Sequence, residues 1–239
     1  MSEQKSQSGD YWDRHVVSWE ASTYYTDKKL PNPTLWDRLS TLFRGASLYD
    51  RMSIALDMLK PHLPGLTVLD VGCASGRFAH QLVEAGAARV IGVDISADII
   101  RIANERRLAG PHADRLEFFA SDLARPGQPL PKVDLVTSLG VIEYFDRRDM
   151  QVFLANTKAK YFFHDFPDVA RTLNWWLWWS RQIYIRVHRC PGVYLYERPE
   201  FTELVKQAGY EGEVWYERRS IFHYASNLPR EPKQLLNGI

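Results

Sequence analysis

Cysteine is nearly absent: Cys73 and Cys190 are the two in 239 residues, and they fall in no metal or redox spacing. A dithiol redox motif or a cysteine metal cluster therefore has no basis, a lone pair says little about disulfides, and a reducing cytoplasm is the expected compartment. An excess of one charge is lacking too, with 30 Lys and Arg against 29 Asp and Glu. That balance argues against a whole-surface binder of nucleic acid or anionic membrane, although it leaves room for a local basic stripe. No apolar run approaches the roughly 20 residues that cross a bilayer. The most apolar stretch, Leu173 to Ile185, is broken by Asn174, Ser180, Arg181 and Gln182, so no transmembrane segment is expected. The opening residues Met1 to Asp10 are polar and lack the apolar core of a secretory signal. Repeats, low-complexity tracts and linkers are missing as well, which favours one domain.

What is present is a composition of 45% hydrophobic and 25% charged residues, enough for a globular core that needs no staple. Tyr11 to Phe43 is aromatic and charged without a sustained period, and reads as a cap. From Ser47, Leu48, Met52, Ala55 and Leu59 recur on one helical face, closed by Pro61, Pro64 and Gly65. Short apolar runs then alternate with helical patterns. Leu66 to Val71, Arg89 to Val93, Leu116 to Ala120, Val133 to Thr137 and Tyr161 to His164 read as strands. Helical patterns follow the first two, around Phe78, Leu82 and Val83, and around Ile99, Ile100 and Ile102 with Ser96 as N-cap. Such alternation implies a parallel sheet covered on both faces. A last helix, with Phe201, Leu204, Val205 and Ala208 on one face, precedes two runs, Val214 to Tyr216 and Ile221 to Ala225, close enough to pair antiparallel.

The first strand ends in Asp70-Val71-Gly72-Cys73-Ala74-Ser75-Gly76, a glycine loop turning into a helix. In open α/β sheets ligands sit beyond the carboxyl ends of the strands, where glycines let the backbone come close. The second strand ends in Asp94, whose carboxylate can accept both hydroxyls of a ribose. A dinucleotide fingerprint would read G-x-G-x-x-G, and this loop does not. Asp70 beside the loop would repel a pyrophosphate and attract a cationic ligand instead.

These residues resemble the class I S-adenosylmethionine-dependent methyltransferases, over roughly Tyr49 to Ala225. Val68 to Gly76 resembles the first motif of that family, with Ala74 where glycine is commoner, and Val90 to Ser96 resembles its ribose-binding strand end. Phe119 to Leu123 and Val133 to Tyr144 are similar to its adenine and methionine segments. The resemblance implies an α/β, Rossmann-like three-layer sandwich whose seven-stranded mixed sheet ends in a C-terminal antiparallel hairpin. It implies S-adenosylmethionine as cofactor, held by Asp70, Gly72, Cys73, Ala74 and Gly76 at the loop, by Asp94 with Ile95 at the ribose, and by Ser121, Asp122 and Leu123 at the adenine. Ser138, Leu139 and Gly140 would line the methionyl side, and Arg51 would meet its carboxylate. The expected plan is one domain over 1–239: a cap at 1–46, a cofactor-binding core at 47–168, an acceptor-site insert at 169–198, and a terminal helix and hairpin at 199–239.

The Asp/Asn-Pro-Pro-aromatic motif of nucleobase amino-methylating enzymes is missing after the fourth strand, so no nucleic acid acceptor is expected. G-x-S-x-G is missing too, which removes the α/β-hydrolase nucleophile elbow. No metal site is expected, since the loop after the fourth strand does not reproduce a carboxylate and histidine set, and His164, Asp165 and Asp168 have weak spacing for one. Removing a proton from a hydroxyl acceptor needs a base, and His164, oriented by or replaced by Asp165, is the first candidate; His188 and His223 follow. Tyr144, Trp175, Trp176, Trp179, Arg181 and Arg186 are the expected substrate-binding residues, because aromatic planes suit a flat ring and guanidinium groups suit a phosphate or carboxylate. Core packing, a dimer contact and a membrane-surface helix remain open for the tryptophans. The expected reaction is O-methylation of a glycoside, polyketide or aromatic metabolite in biosynthesis, by a monomer or homodimer. Small-molecule N-methylation and a catalytically silent cofactor-binding subunit are the alternatives.

Overall fold

A computed structural model describes residues 11–18, 20, 48–126, 130–170, 179, 182, 183, 186 and 193–230. Seven strands form one sheet: β1 (Thr67–Val71), β2 (Arg89–Asp94), β3 (Leu116–Ala120), β4 (Leu135–Ser138), β5 (Tyr161–Asp165), β6 (Trp215–Arg219) and β7 (Phe222–Ser226). Their order is β3-β2-β1-β4-β5-β7-β6. The first five are parallel, and β7 runs antiparallel to both β5 and β6, which gives the mixed sheet and terminal hairpin expected of the sequence.

The central strands are apolar on both sides because both sides are covered. Val68, Val90, Leu135 and Phe163 face one layer, where α2 (Leu48–Leu59), α3 (Arg77–Glu84) and α4 (Ala97–Ala109) contribute Met52, Leu59, Phe78, Leu82, Ile99 and Ala103. Leu69, Ile91, Val136 and Phe162 face the other, filled by Met150, Phe153 and Leu154 of α5 (Arg147–Asn156) and by Phe201 and Val205 of α6 (Arg198–Gln207). Helix α5 was not foreseen in the sequence. Its signal is an N-cap, since the Asp146 carboxylate accepts from the Asp149 N–H at 2.8 Å, followed by the i, i+3, i+4 apolar set Met150, Phe153, Leu154.

The aperiodic reading of Tyr11 to Phe43 is corrected where the structure describes it: residues 11–18 form a helix, α1, and Val16 is buried in the core on the α2–α4 side. Trp175, Trp176, Arg181 and His188 lie outside the described residues. Trp179 and Arg186 are helical and exposed. Among the described residues no helix is long and apolar enough to cross a membrane.

Close packing at β2 depends on a missing side chain. A Cβ at Gly92 would overlap the Phe118 ring and come within 2.9 Å of Cys73 Sγ, although its backbone is ordinary for a strand. Gly92→Ala should therefore destabilise the chain by about 1–3 kcal/mol, read as a lower urea midpoint at unchanged slope. A midpoint equal to wild type would contradict this packing.

Candidate functional site

β1 lies between β2 and β4, so the connections leave it in opposite directions and a crevice opens at its carboxyl end. The loop after β1 builds the floor of that crevice from left-handed residues, with φ of 68° at Gly72, 46° at Ala74 and 78° at Gly76. Ala74, the departure from the glycine-rich pattern, thus takes a conformation that glycine adopts more cheaply. Gly72 must be bare for another reason, since a Cβ there would overlap Val141 in the loop after β4. The N–H groups of Gly72 and Cys73 both donate to the Val93 carbonyl, at 2.7 and 3.1 Å, and tie the loop to β2.

Two carboxylates flank this floor. Asp94 accepts from the Ala74 N–H at 3.0 Å and the Ser96 N–H at 3.1 Å, and burial nonetheless pushes its pKa up to about 6 against those bonds. Asp70 is 2% exposed, its Oδ2 has no hydrogen-bond partner, and burial followed by the Asp94 charge pushes it up to about 8. The Cys73 thiol is likewise pushed well up, by burial first. The cleft above, about 440 Å³ counting its share of open solvent, is lined by Glu20, Asp70, Gly72, Cys73, Ala74 and Arg77 among others. Buried acids around an open volume suit a ligand with positive charge.

The other expected cofactor residues surround the same edge. Ser121 donates its N–H to the Asp94 carbonyl at 2.9 Å, Ile95 follows Asp94, and Leu123 is buried. The Asp122 side chain accepts from the Ala124 N–H at 3.1 Å and pairs with Arg125 at 3.3 Å. Gly140 has φ 72°, and a Cβ on it would overlap the Arg51 guanidinium, which therefore lies against the loop after β4. Arg51 pairs with Asp165 at 3.3 Å and stacks over Phe222 at 5.2 Å. Tyr144 meets Trp12 of α1 edge-on at 5.1 Å.

His164 and Asp165 do not line this cleft. His164 is wholly buried, with Phe162 and Phe153 rings at 5.3 and 5.7 Å and its Nδ1 on the Ser138 hydroxyl at 2.8 Å. Burial lowers its pKa to about 3. The reason is alternation along β5: Phe162 and His164 face the α5 layer, whereas Phe163 and Asp165 face α2. His164 as general base is therefore withdrawn, and Asp165, 2% exposed, serves as the counter-ion of Arg51. Asp168 holds Arg198 at 2.9 Å and His223 at 3.1 Å, so His164, Asp165 and Asp168 have separate partners. Among the described residues no three potential ligands converge on a metal position.

Sequence reasoning missed Glu20. It accepts from the Ser75 N–H at 2.9 Å, from the Ser75 hydroxyl and from Arg77 Nε at 3.1 Å. The signal was the spacing Trp12, Val16, Glu20, a helical i, i+4, i+8 set hidden among the charges.

Residues 68–159 match the family described as methyltransferase domain. The chain is 29% identical over 143 residues to the magnesium-protoporphyrin O-methyltransferase of Rhodobacter capsulatus, spanning 58% of this chain and 61% of that one. It is 38% identical over 92 residues to the tRNA U34 carboxymethyltransferase of Shewanella putrefaciens, spanning 36% of this chain and 26% of that one. Among solved structures, the magnesium protoporphyrin IX methyltransferase of Synechocystis with bound SAH superposes with TM-score 0.61 at 17% identity, covering 91% of this chain and 94% of that one.

The buried acids make stability depend on pH. Asp70 binds its proton more tightly folded than unfolded, so its contribution is complete below about pH 4 and is lost as pH rises toward 8. Asp70→Asn should flatten that loss, by up to about 1.4 kcal/mol per pH unit, in urea titrations across this range. His164 acts in the opposite sense, contributing stability above its ordinary 6.5 that is lost as pH falls toward about 3. An Asp70→Asn chain with the wild-type pH profile would contradict the assignment.

Proposed function

We infer that this chain, which carries a class I S-adenosylmethionine-dependent methyltransferase domain, methylates an oxygen of a small organic acceptor. The observation that carries the donor reading is the unpartnered Asp70 oxygen beside Asp94 in a cleft floored by the glycine loop. Bound there, S-adenosylmethionine supplies a methyl group on a sulfonium, already joined to a good leaving group. Asp70 is assigned to its positive end, Asp94 to the ribose hydroxyls and Asp122 to the adenine amino group. Arg51, against Gly140, is assigned to the carboxylate. Asp94 accepts from the backbone N–H groups of Ala74, Ile95 and Ser96, which hold its carboxylate at the strand end where the proposed ribose would meet it.

The small-molecule acceptor is supported by two separate comparisons, in sequence and in structure, that both give magnesium-protoporphyrin methyltransferases over much of the chain. The tRNA relative shares a shorter stretch. With His164 in the core and Asp165 on Arg51, neither is assigned the acceptor proton, and alignment with the sulfonium methyl is the main task of the protein. For a hydroxyl acceptor, one observation favours His223 as the base: its Nδ1 lies 3.1 Å from Asp168, the arrangement of a histidine base and its orienting carboxylate.

Asp94→Ala should lower affinity for S-adenosylmethionine about ten- to a hundredfold, the loss of roughly 1.5–3 kcal/mol of charged hydrogen bonding. Calorimetric titration reads this directly. Undiminished affinity, or preferential binding of a nicotinamide dinucleotide, would overturn the donor assignment.

A further inference from the structure

Trp12, Val16 and Glu20 recur every four residues, and each reaches a different part of the carboxyl edge of the sheet. Trp12 meets Tyr144 after β4, and Val16 enters the core. Between them the Asp13 carbonyl accepts from the Ser96 hydroxyl at 3.3 Å, after β2. Glu20 arrives at the loop after β1, on Ser75 and Arg77, and lines the same cleft as Asp70. The cleft is thus walled on one side by a segment from outside the sheet.

Charge decides what that wall does. The Glu20 side chain is 7% exposed and that of Arg77 38%; Arg77 lines the cleft beside Glu20, and Arg106 donates to the Ser75 hydroxyl, so the carboxylate faces the cleft with its charge offset in part. Asp70 adds a second acid there, 2% exposed and with an oxygen that no donor among the described residues satisfies. A ligand with net positive charge gains from this field and a neutral one does not.

We propose that Glu20 is a donor-site residue that makes the cleft prefer S-adenosylmethionine over its demethylated product. The proposal rests on the reading of the cleft as the S-adenosylmethionine site. When the methyl group leaves, the sulfonium takes the bonding electron pair and becomes a thioether, so the ligand passes from net positive to net neutral. The carboxylate that attracts the donor then no longer holds the product, which favours release.

The test is calorimetric titration of the full chain with S-adenosylmethionine and with S-adenosylhomocysteine. Glu20→Gln keeps an oxygen for the Ser75 N–H and removes the charge. Donor affinity should fall roughly three- to tenfold, with product affinity held within about twofold. Arg77→Gln removes the opposing charge and should shift the donor-to-product ratio the other way, which keeps the proposal testable if Glu20→Gln folds poorly. Equal losses for both ligands would leave Glu20 as a mere strap and overturn the proposal, and so would no change in either. A wild-type chain that binds neither ligand overturns the underlying donor reading, and the proposal with it.

Discussion

A carboxylate kept out of water at the end of a central strand is the constraint around which the cleft is arranged. Asp70 stands in register with Gly92 on one side and Thr137 on the other, so its backbone is fixed by two parallel ladders. Its charge is costly there, and Asp94 makes it costlier. Among the described residues nothing bonds to its Oδ2, which leaves that oxygen for the proposed ligand. The left-handed loop, the bare Gly72 against Val141 and the bare Gly92 against Phe118 bring the surrounding backbone close enough to shape a volume around that partner.

The same alternation that buries both faces of β5 separates donor chemistry from core packing. Asp165 turns toward α2, where Arg51 neutralises it against the loop after β4. His164, one residue earlier, turns toward α5 and is held neutral by burial. The acids of the cleft and Arg51 against the loop after β4 are the groups that the proposed donor site assigns to the sulfonium and to the carboxylate.

The five parallel strands were legible in the sequence because buried parallel strands are short apolar runs whose ends are marked by Gly, Pro and Asp, as at Val71-Gly72 and Val93-Asp94, and the hairpin because its two runs lie close together in the chain. The residues proposed for the donor site sit at strand ends, where position along the chain fixes position in space. His164 was misplaced because nearness to a strand end does not tell which face a side chain takes, and the register that does was not visible before β5 was seen to run on to Asp165. Glu20 was missed because its partners, Ser75 and Arg77, lie more than fifty residues away in sequence. Helix α5 escaped notice because its apolar set is only Met150, Phe153 and Leu154, preceded by the charged run Asp146 to Asp149.

The central claim is that the carboxyl ends of β1, β2 and β4 form one S-adenosylmethionine site. Amide hydrogen exchange of the full chain, with and without saturating S-adenosylhomocysteine, tests it most directly because it reads every strand end at once. The account predicts slowed exchange in 70–77, 93–97, 119–123 and 138–144, with little change in β6 and β7. Protection confined to other segments, or protection of these segments by a nicotinamide dinucleotide and not by S-adenosylhomocysteine, would contradict it.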